Sequence, residues 1–152
     1  TMIVRLFNTL GPRQTGQYGK DIPRFVQRAL NHEPLQIYGD GKQTRCFCCV
    51  HDVVGGLMNL MQAPDACGAV YNIGSQEEIS IDALADIIIR KTQSKSTKEY
   101  LSYEQAYGKP FDDMRKRVPS VQRIQQRTGY TPEYTLEQTL DLIIEDLRSR
   151  SI

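Results

Sequence analysis

The stretch that decides the fold covers residues 35–54 and reads LQIYGDGKQTRCFCCVHDVV. Two short apolar runs flank a Gly-Asp-Gly turn at 39–41, and Asp52 follows at a position that favours the start of a helix. The stretch therefore predicts a strand, a turn, a second strand and a helix. Within it, Tyr38 supplies an aromatic ring and Arg45 a guanidinium, and these two groups can hold a ring-bearing, phosphorylated ligand.

The bulk composition is that of an ordinary globular protein. The chain has 152 residues, of which 39% are hydrophobic, enough to build one core. Its 19 basic and 18 acidic residues give a formal charge of +1, so nothing global attracts nucleic acid or an acidic membrane. Three of its four cysteines fall within residues 46–49, which is unlike a disulfide framework. We expect a single domain over residues 1–152, located in the cytoplasm, with no nucleic-acid or membrane partner.

Strands alternate with helices along the rest of the chain, which predicts an α/β fold with short strands and about five helices. Residues 2–6 and 69–73 are predicted strands, and residues 45–50 form the second strand of the opening stretch. In the helix after Asp52, the apolar face is expected to consist of four residues at helical spacing: Val54, Leu57, Met58 and Met61.

Helix ends are also visible in the sequence. Ser80 and Ser120 are predicted N-caps, and Gly129 is predicted to stop the helix that Ser120 begins. Thr135 with Gln138 three residues later has the spacing of a capping box, which predicts a final amphipathic helix.

A family resemblance rests on two motifs, residues 4–13 (VRLFNTLGPR) and residues 35–54. Together they resemble the nucleotide-sugar epimerases, dehydratases and decarboxylases of the extended short-chain dehydrogenase/reductase superfamily. The resemblance is to the C-terminal portion of that fold. The Rossmann half is missing, because the chain holds no Gly-x-x-Gly-x-x-Gly fingerprint. Since the first predicted strand begins at residue 2, with no loop leading into it, we expect the chain to be a fragment of a longer enzyme.

The resemblance implies a set of site residues. Phe7 would contact the cofactor and Asn8 the substrate phosphates. Arg45 would bind the diphosphate, and Gln36 and Tyr38 would flank the nucleobase.

Asp113 matches an acid that reaches the ribose in the family. The arginine that precedes this acid in the family falls near Pro110 here, so either Lys109 replaces it or the contact is missing. From the residues alone, Asn8 is equally well a turn asparagine and Arg45 an exposed surface arginine.

Two other patterns in the opening stretch are similar to a catalytic pair and to a zinc site, but the predicted secondary structure argues against both. Tyr38 and Lys42 have the catalytic Tyr-x-x-x-Lys spacing, but the residues between them form a turn and not the helical turn that this pair requires. Cys46, Cys48, Cys49 and His51 could suggest zinc, yet strand alternation would send them to opposite faces. We expect no catalytic residue and no metal site in this chain.

The function that follows is binding of a UDP-sugar or dTDP-sugar, oriented for hydride transfer to NAD that the absent N-terminal half would hold. The parent protein would be an enzyme, foremost a UDP-glucose 4-epimerase, with UDP-glucuronate decarboxylase and dTDP-glucose 4,6-dehydratase as alternatives. The chain alone would be inactive and would not bind NAD tightly. A stand-alone nucleotide-sugar binding or interaction module is the rival hypothesis. The expected protein partners are the missing half and a second copy joined through exposed strand edges.

Overall fold

The computed structural model describes residues 1–14, 21–107 and 113–150. Strands and helices alternate there, as the α/β prediction requires. In chain order the elements are β1 Ile3–Leu6, β2 Thr9–Leu10, α1 Asp21–Leu30, β3 Leu35–Tyr38, β4 Thr44–Cys46, β5 Cys48–Cys49, α2 Val50–Gln62, β6 Val70–Ile73, β7 Glu78–Ser80, α3 Ile81–Thr92, β8 Lys98–Leu101, α4 Tyr103–Tyr107, β9 Lys116–Arg117, α5 Gln122–Thr128 and α6 Leu136–Arg150. No helix in these ranges is both long and apolar enough to cross a membrane.

The chain forms two compact units, which are described separately. Unit 1 contains Thr1–Gly11, Cys46–Glu78 and Val118–Thr139. Unit 2 contains Pro12–Arg45, Ile79–Arg117 and Leu140–Ile152. The single domain expected from the sequence stays a prediction.

Unit 1 is organised around the parallel pair β1 and β6, with Ile3 opposite Val70 and Leu6 opposite Ile73. A second parallel pair joins β2 to β5. Alternate residues of β6 point into the core, so that Tyr71 and Ile73 are fully buried. The core cluster is completed by residues of β5, α2, α5 and the loops beside them: Cys48, Val53, Leu60, Ala66, Val121, Ile124 and Tyr130.

Helix α2 buries a different face from the one that the sequence suggests. Val54, Met58 and Met61 are 48%, 55% and 79% exposed, while Val53 and Leu60 are buried. Gly56 lies against the Tyr130 ring, where an added Cβ would be 3.0 Å from two ring atoms. The side that offers close approach to Tyr130 faces the core, so part of the predicted apolar face was wrong.

The start of α2 also differs from the prediction. The expected strand over residues 45–50 is interrupted at Phe47, and the helix already begins at Val50. Asn8 accompanies the break, since its side-chain amide donates to the Cys46 carbonyl at 2.8 Å and its own carbonyl accepts from the Cys48 amide. Cys49 is the N-cap residue, and Asp52 lies inside the first turn. The predicted Asp52 cap was therefore wrong.

Other helix ends agree with the sequence where the interaction is local. The Ser80 hydroxyl accepts from the Ala83 amide at 3.1 Å, which confirms this cap. Thr135 and Gln138 exchange both bonds of a capping box, at 2.9 and 3.2 Å. Gly129 ends α5 in the left-handed conformation. Ser120, however, is not the cap of α5, because Val121 occupies that position without a side-chain cap.

Unit 2 contains the parallel pair β3 and β8, with Leu35 opposite Lys98 and Tyr38 opposite Leu101. Strand β4 pairs in parallel with β9, which places Arg45 opposite Arg117. The unit buries the apolar faces of α1, β3, α3 and α6: Ile22, Phe25, Val26, Ala29, Leu35, Ile37, Ile81, Leu84, Ala85, Ile88, Leu140, Ile143 and Ile144. The strand that leads into the turn between β3 and β4 is therefore anchored in this core through Leu35 and Ile37.

Candidate functional site

The turn between β3 and β4 requires glycine at its first residue. Gly39 has a φ of +73°, a left-handed conformation that other residues adopt at a cost. The Tyr103 ring lies directly against it, so that an added Cβ would be 2.8 Å from the ring carbon Cε2. The Gly39 amide also donates to the Leu101 carbonyl at 2.8 Å. The glycine therefore allows Tyr103 to close over the turn.

Tyr38, just before the turn, is held by Arg24 of α1. The Arg24 guanidinium carbon lies 4.5 Å from the centroid of the Tyr38 ring, within cation–π range. The same guanidinium donates to the Tyr38 hydroxyl and, at 3.3 Å, to the Gln36 carbonyl. The Gln36 side chain contacts Glu99 at 3.4 Å. Two of the predicted ligand residues thus lie side by side on β3, fixed by a cation from the neighbouring helix.

Arg45, on β4, forms a two-pronged ion pair with Asp113. Its Nη2 donates to both carboxylate oxygens, at 2.6 and 2.7 Å. Its Nη1 donates to the carbonyls of Thr44, at 2.7 Å, and Met114, at 2.8 Å. The Arg45 side chain is 14% exposed and that of Asp113 is 22% exposed. The structure therefore brings together two predicted site residues that are 68 positions apart in sequence.

A second ion pair and a tyrosine surround this contact. Arg115 donates to both carboxylate oxygens of Asp40, at 3.0 and 2.8 Å, and this bond lowers the pKa of Asp40. The Tyr103 hydroxyl donates to Asp113 at 3.0 Å. Burial of the phenol, and next its bond to Asp113, raises the pKa of Tyr103 to about 12. At neutral pH Tyr103 is therefore a protonated donor facing a carboxylate.

Asn8 and Phe7 lie in unit 1, at the end of β1. Asn8 has a φ of 38°, and its side-chain amide donates to the Cys46 carbonyl. Phe7 is half-buried, and its backbone amide donates to the Ile73 carbonyl at 3.0 Å. It packs closely against Gly74, where an added Cβ would lie 2.9 Å from the Cβ of Phe7. Both residues have a clear structural role in joining β1 to its neighbours. Their predicted ligand roles stay predictions.

The cysteine cluster is apolar packing. Cys46, Cys48 and Cys49 are each 1% exposed, and Cys67 is exposed. Cys48 contacts the Tyr130 hydroxyl at 3.4 Å, and burial raises the pKa of its thiol to about 11. His51 stands on α2, not on a strand, so strand alternation does not apply to it. Within the described ranges no three His, Cys, Asp or Glu side chains gather as metal ligands would.

Three residues around the turn were not singled out in the sequence: Arg24, Tyr103 and Arg115. Tyr103 had a usable pattern, because Ser102 and Gln105 have capping-box spacing and do exchange bonds at 2.9 and 3.1 Å at the start of α4. Arg24 had none, since a helix arginine gives no indication of which ring it will contact. Lys109, the candidate replacement for the family's arginine, and Pro110, near which that arginine falls, lie outside the described residues.

Comparison with known proteins places this geometry in context. A protein-family model described as GDP-mannose 4,6 dehydratase matches residues 1–143. The chain is 38% identical over 147 residues to a UDP-N-acetyl-alpha-D-glucosaminuronate decarboxylase of Bacillus cytotoxicus, covering 96% of this chain and 46% of that protein.

Solved structures agree. UDP-glucose 4-epimerase of Thermotoga maritima, crystallised with UDP-glucose, aligns with a TM-score of 0.88 at 26% identity, over 99% of this chain and 47% of that one. UDP-glucuronic acid 4-epimerase of Bacillus cereus, in complex with UDP-glucuronic acid and NAD, aligns with a TM-score of 0.85 at 25% identity, over 98% of this chain and 45% of that one. The chain spans about half the length of these relatives.

Proposed function

Because the chain belongs to the NAD-dependent epimerases and dehydratases of the extended short-chain dehydrogenase/reductase superfamily, we propose that it is the part of such an enzyme that binds the nucleotide-sugar. The observation that carries this proposal is the arrangement in unit 2. Tyr38 and Arg45 flank a glycine turn, and Arg45 already grips an anionic group, the Asp113 carboxylate. A guanidinium that binds both oxygens of a carboxylate can bind phosphate oxygens in place of that carboxylate.

The roles in unit 2 follow from the chemistry of each side chain. Arg45 binds the diphosphate, since it is the one cation that β4 contributes. Tyr38, stiffened by Arg24, offers an aromatic surface to the nucleobase, and Gln36 offers an amide beside it. Asp113 accepts from the ribose hydroxyls. Phe7 and Asn8 in unit 1 keep the cofactor and phosphate contacts that the resemblance implies.

The residues that the structure describes do not fit a complete NAD site. A dinucleotide pyrophosphate needs a glycine-rich loop at a helix N-terminus. The helices α2 and α3, which directly follow strands, carry an acidic residue in the first turn, Asp52 and Asp82. A negative charge there opposes a phosphate group. We propose that the chain alone binds NAD weakly and is inactive, so that its catalytic contribution is to position the sugar.

Two reaction classes remain within the proposal. The relatives above include a decarboxylase and two 4-epimerases. The solved structures of the two epimerases each contain a UDP-sugar. A UDP-sugar is therefore favoured over a dTDP-sugar. The rival function, a stand-alone binding module, would use the same ligand residues and differs in having no catalytic half.

Titration calorimetry with UDP, UDP-glucose and UDP-glucuronic acid tests the proposal. We expect binding in the micromolar to millimolar range, and we expect Arg45→Gln to weaken it by about 10-fold or more, since a charged bond to phosphate is worth roughly 1.5–3 kcal/mol. Arg148→Gln is the matched control, because it removes the same charge from an exposed position in the last turn of α6. No UDP binding at millimolar concentration, or equal losses in the two variants, contradicts the proposal.

A further inference from the structure

The terminal nitrogens of Arg45 cannot bind a diphosphate while they hold their present partners. Both terminal nitrogens are engaged, Nη1 with two carbonyls and Nη2 with both oxygens of Asp113. A phosphate that takes the Nη2 side of the guanidinium must replace a carboxylate of like charge. Asp113 thus occupies the position that the proposed ligand needs.

We infer that Asp113 is an internal competitor for the anion site at Arg45, and that Tyr103 is the positioning residue that keeps it there. This inference rests on the proposed function for the identity of the ligand. The Asp113 carboxylate accepts from both Arg45 and the Tyr103 hydroxyl, so it is held from two sides. Tyr103 is itself fixed by the close contact of its ring with Gly39.

The consequence is selectivity for strongly charged ligands. Displacing a partly buried, doubly bonded carboxylate needs an anion that gives Arg45 at least as much in return. A diphosphate does so through several oxygens, whereas a sugar monophosphate or a simple carboxylate offers less. When Asp113 leaves Arg45, its carboxylate becomes available to the ribose hydroxyls. One residue would then exclude weak anions in the free protein and contact the nucleoside in the complex.

Inorganic pyrophosphate is the decisive probe, because it has the diphosphate and no ribose. We expect Asp113→Asn to bind pyrophosphate about 10-fold more tightly than the unmodified chain, since asparagine keeps an acceptor and loses the charge. Tyr103→Phe, which removes only the hydroxyl, is expected to give a gain of about 2- to 3-fold. Asp141→Asn is the matched control, because it breaks an ion pair of 2.8 Å with Lys91 in the same unit and changes the charge equally.

The double variant Arg45→Gln with Asp113→Asn shows where the pyrophosphate binds. It keeps the net charge of the unmodified chain, and the gain of Asp113→Asn must vanish in it. Pyrophosphate affinity that is unchanged or weaker in Asp113→Asn, a gain equal to that of Asp141→Asn, or a gain that survives in the double variant overturns the inference. So does a folded Asp113→Asn that binds no pyrophosphate. Should Asp113→Asn fail to fold, as judged by circular dichroism, Tyr103→Phe decides alone.

The same titrations separate this inference from the proposed function. UDP binding that depends on Arg45, with no gain in Asp113→Asn for pyrophosphate, would leave the function standing and remove the competitor. If Asp113→Asn gains affinity for pyrophosphate but the chain binds UDP no better than pyrophosphate, the competitor stands and the proposed function does not. With UDP itself, the gain of Asp113→Asn should be smaller than with pyrophosphate, because the ribose contact is lost.

Discussion

The carboxylate of Asp52, in the first turn of α2, accepts a hydrogen bond of 2.9 Å from the backbone amide of Glu133. Its other oxygen accepts from the Tyr134 amide at 3.2 Å, and the residue is only 8% exposed. One side chain thereby anchors a loop that is 81 positions away in sequence.

Replacing Asp52 should therefore destabilise unit 1. Asp52→Ala leaves two partly buried backbone amides without their acceptor, and we expect a loss of about 2–4 kcal/mol in the free energy of unfolding. Asp52→Asn keeps one acceptor and should lose less. Urea unfolding followed by circular dichroism measures both, with Asp141→Asn, an exposed carboxylate, as the control. Equal effects at Asp52 and Asp141 would show that the loop is held by other contacts.

Gly39 offers a test of the closed turn. Gly39→Ala suffers both the left-handed backbone and a clash with the Tyr103 ring, whereas Gly68→Ala, at a φ of +80° with no atom within 4 Å, suffers only the first. We expect Gly68→Ala to lose about 1–2 kcal/mol in unfolding free energy and Gly39→Ala to lose more. If Tyr103 is first shortened, in Tyr103→Ala, the excess cost at Gly39 should disappear. A persistent excess would mean that the ring is not its cause.

Alkaline pH should destabilise the chain partly through Tyr103. Its pKa is raised in the folded protein to about 12 from 10.0, so the folded state retains a proton that the unfolded state loses. The contribution is fully present below pH 10 and is lost as pH rises toward 12. Tyr103→Phe should therefore show a smaller fall in urea midpoint between pH 9 and pH 11 than the unmodified chain does. Identical falls would show that the phenol does not titrate differently in the two states.

Exposed apolar side chains on unit 1 predict self-association. Ile3 and Leu6 on β1 are 57% and 52% exposed, and Met58 and Met61 on α2 are more than half exposed. We expect concentration-dependent oligomers in sedimentation velocity experiments. Ile3→Lys should reduce them if the strand carries the contact, and Met58→Lys if the helix does. A monomer at the highest attainable concentration would contradict the prediction of association.

The features that the sequence could predict depend on neighbours in the chain. Ser80 and the pair Thr135 and Gln138 cap helices within a few residues, so their patterns suffice. The ends of β3 and the glycine turn were predictable for the same reason. Asp113 could be chosen only through the family resemblance, and nothing in the sequence indicated that it would bind Arg45.

The parts that could not be predicted depend on tertiary packing. Helix α2 has apolar residues on more than one side, and Tyr130, far along the chain, selects the face that contains Gly56. The break at Phe47 is found where the Cys46 carbonyl accepts from the side-chain amide of Asn8, a residue of the link between β1 and β2. Arg24 finds Tyr38 because α1 lies beside β3. A single sequence gives no information about such pairings until the fold is known.

The order of the two units along the chain limits how either unit could be exchanged. The chain alternates between them in six segments, so neither unit is a continuous stretch of sequence. A break in the chain at any point within residues 12–139 would divide both units at once. Neither unit can therefore be removed or exchanged as one continuous segment. Any substitution that adapts one unit to a new ligand is therefore made in a chain that must still complete the other.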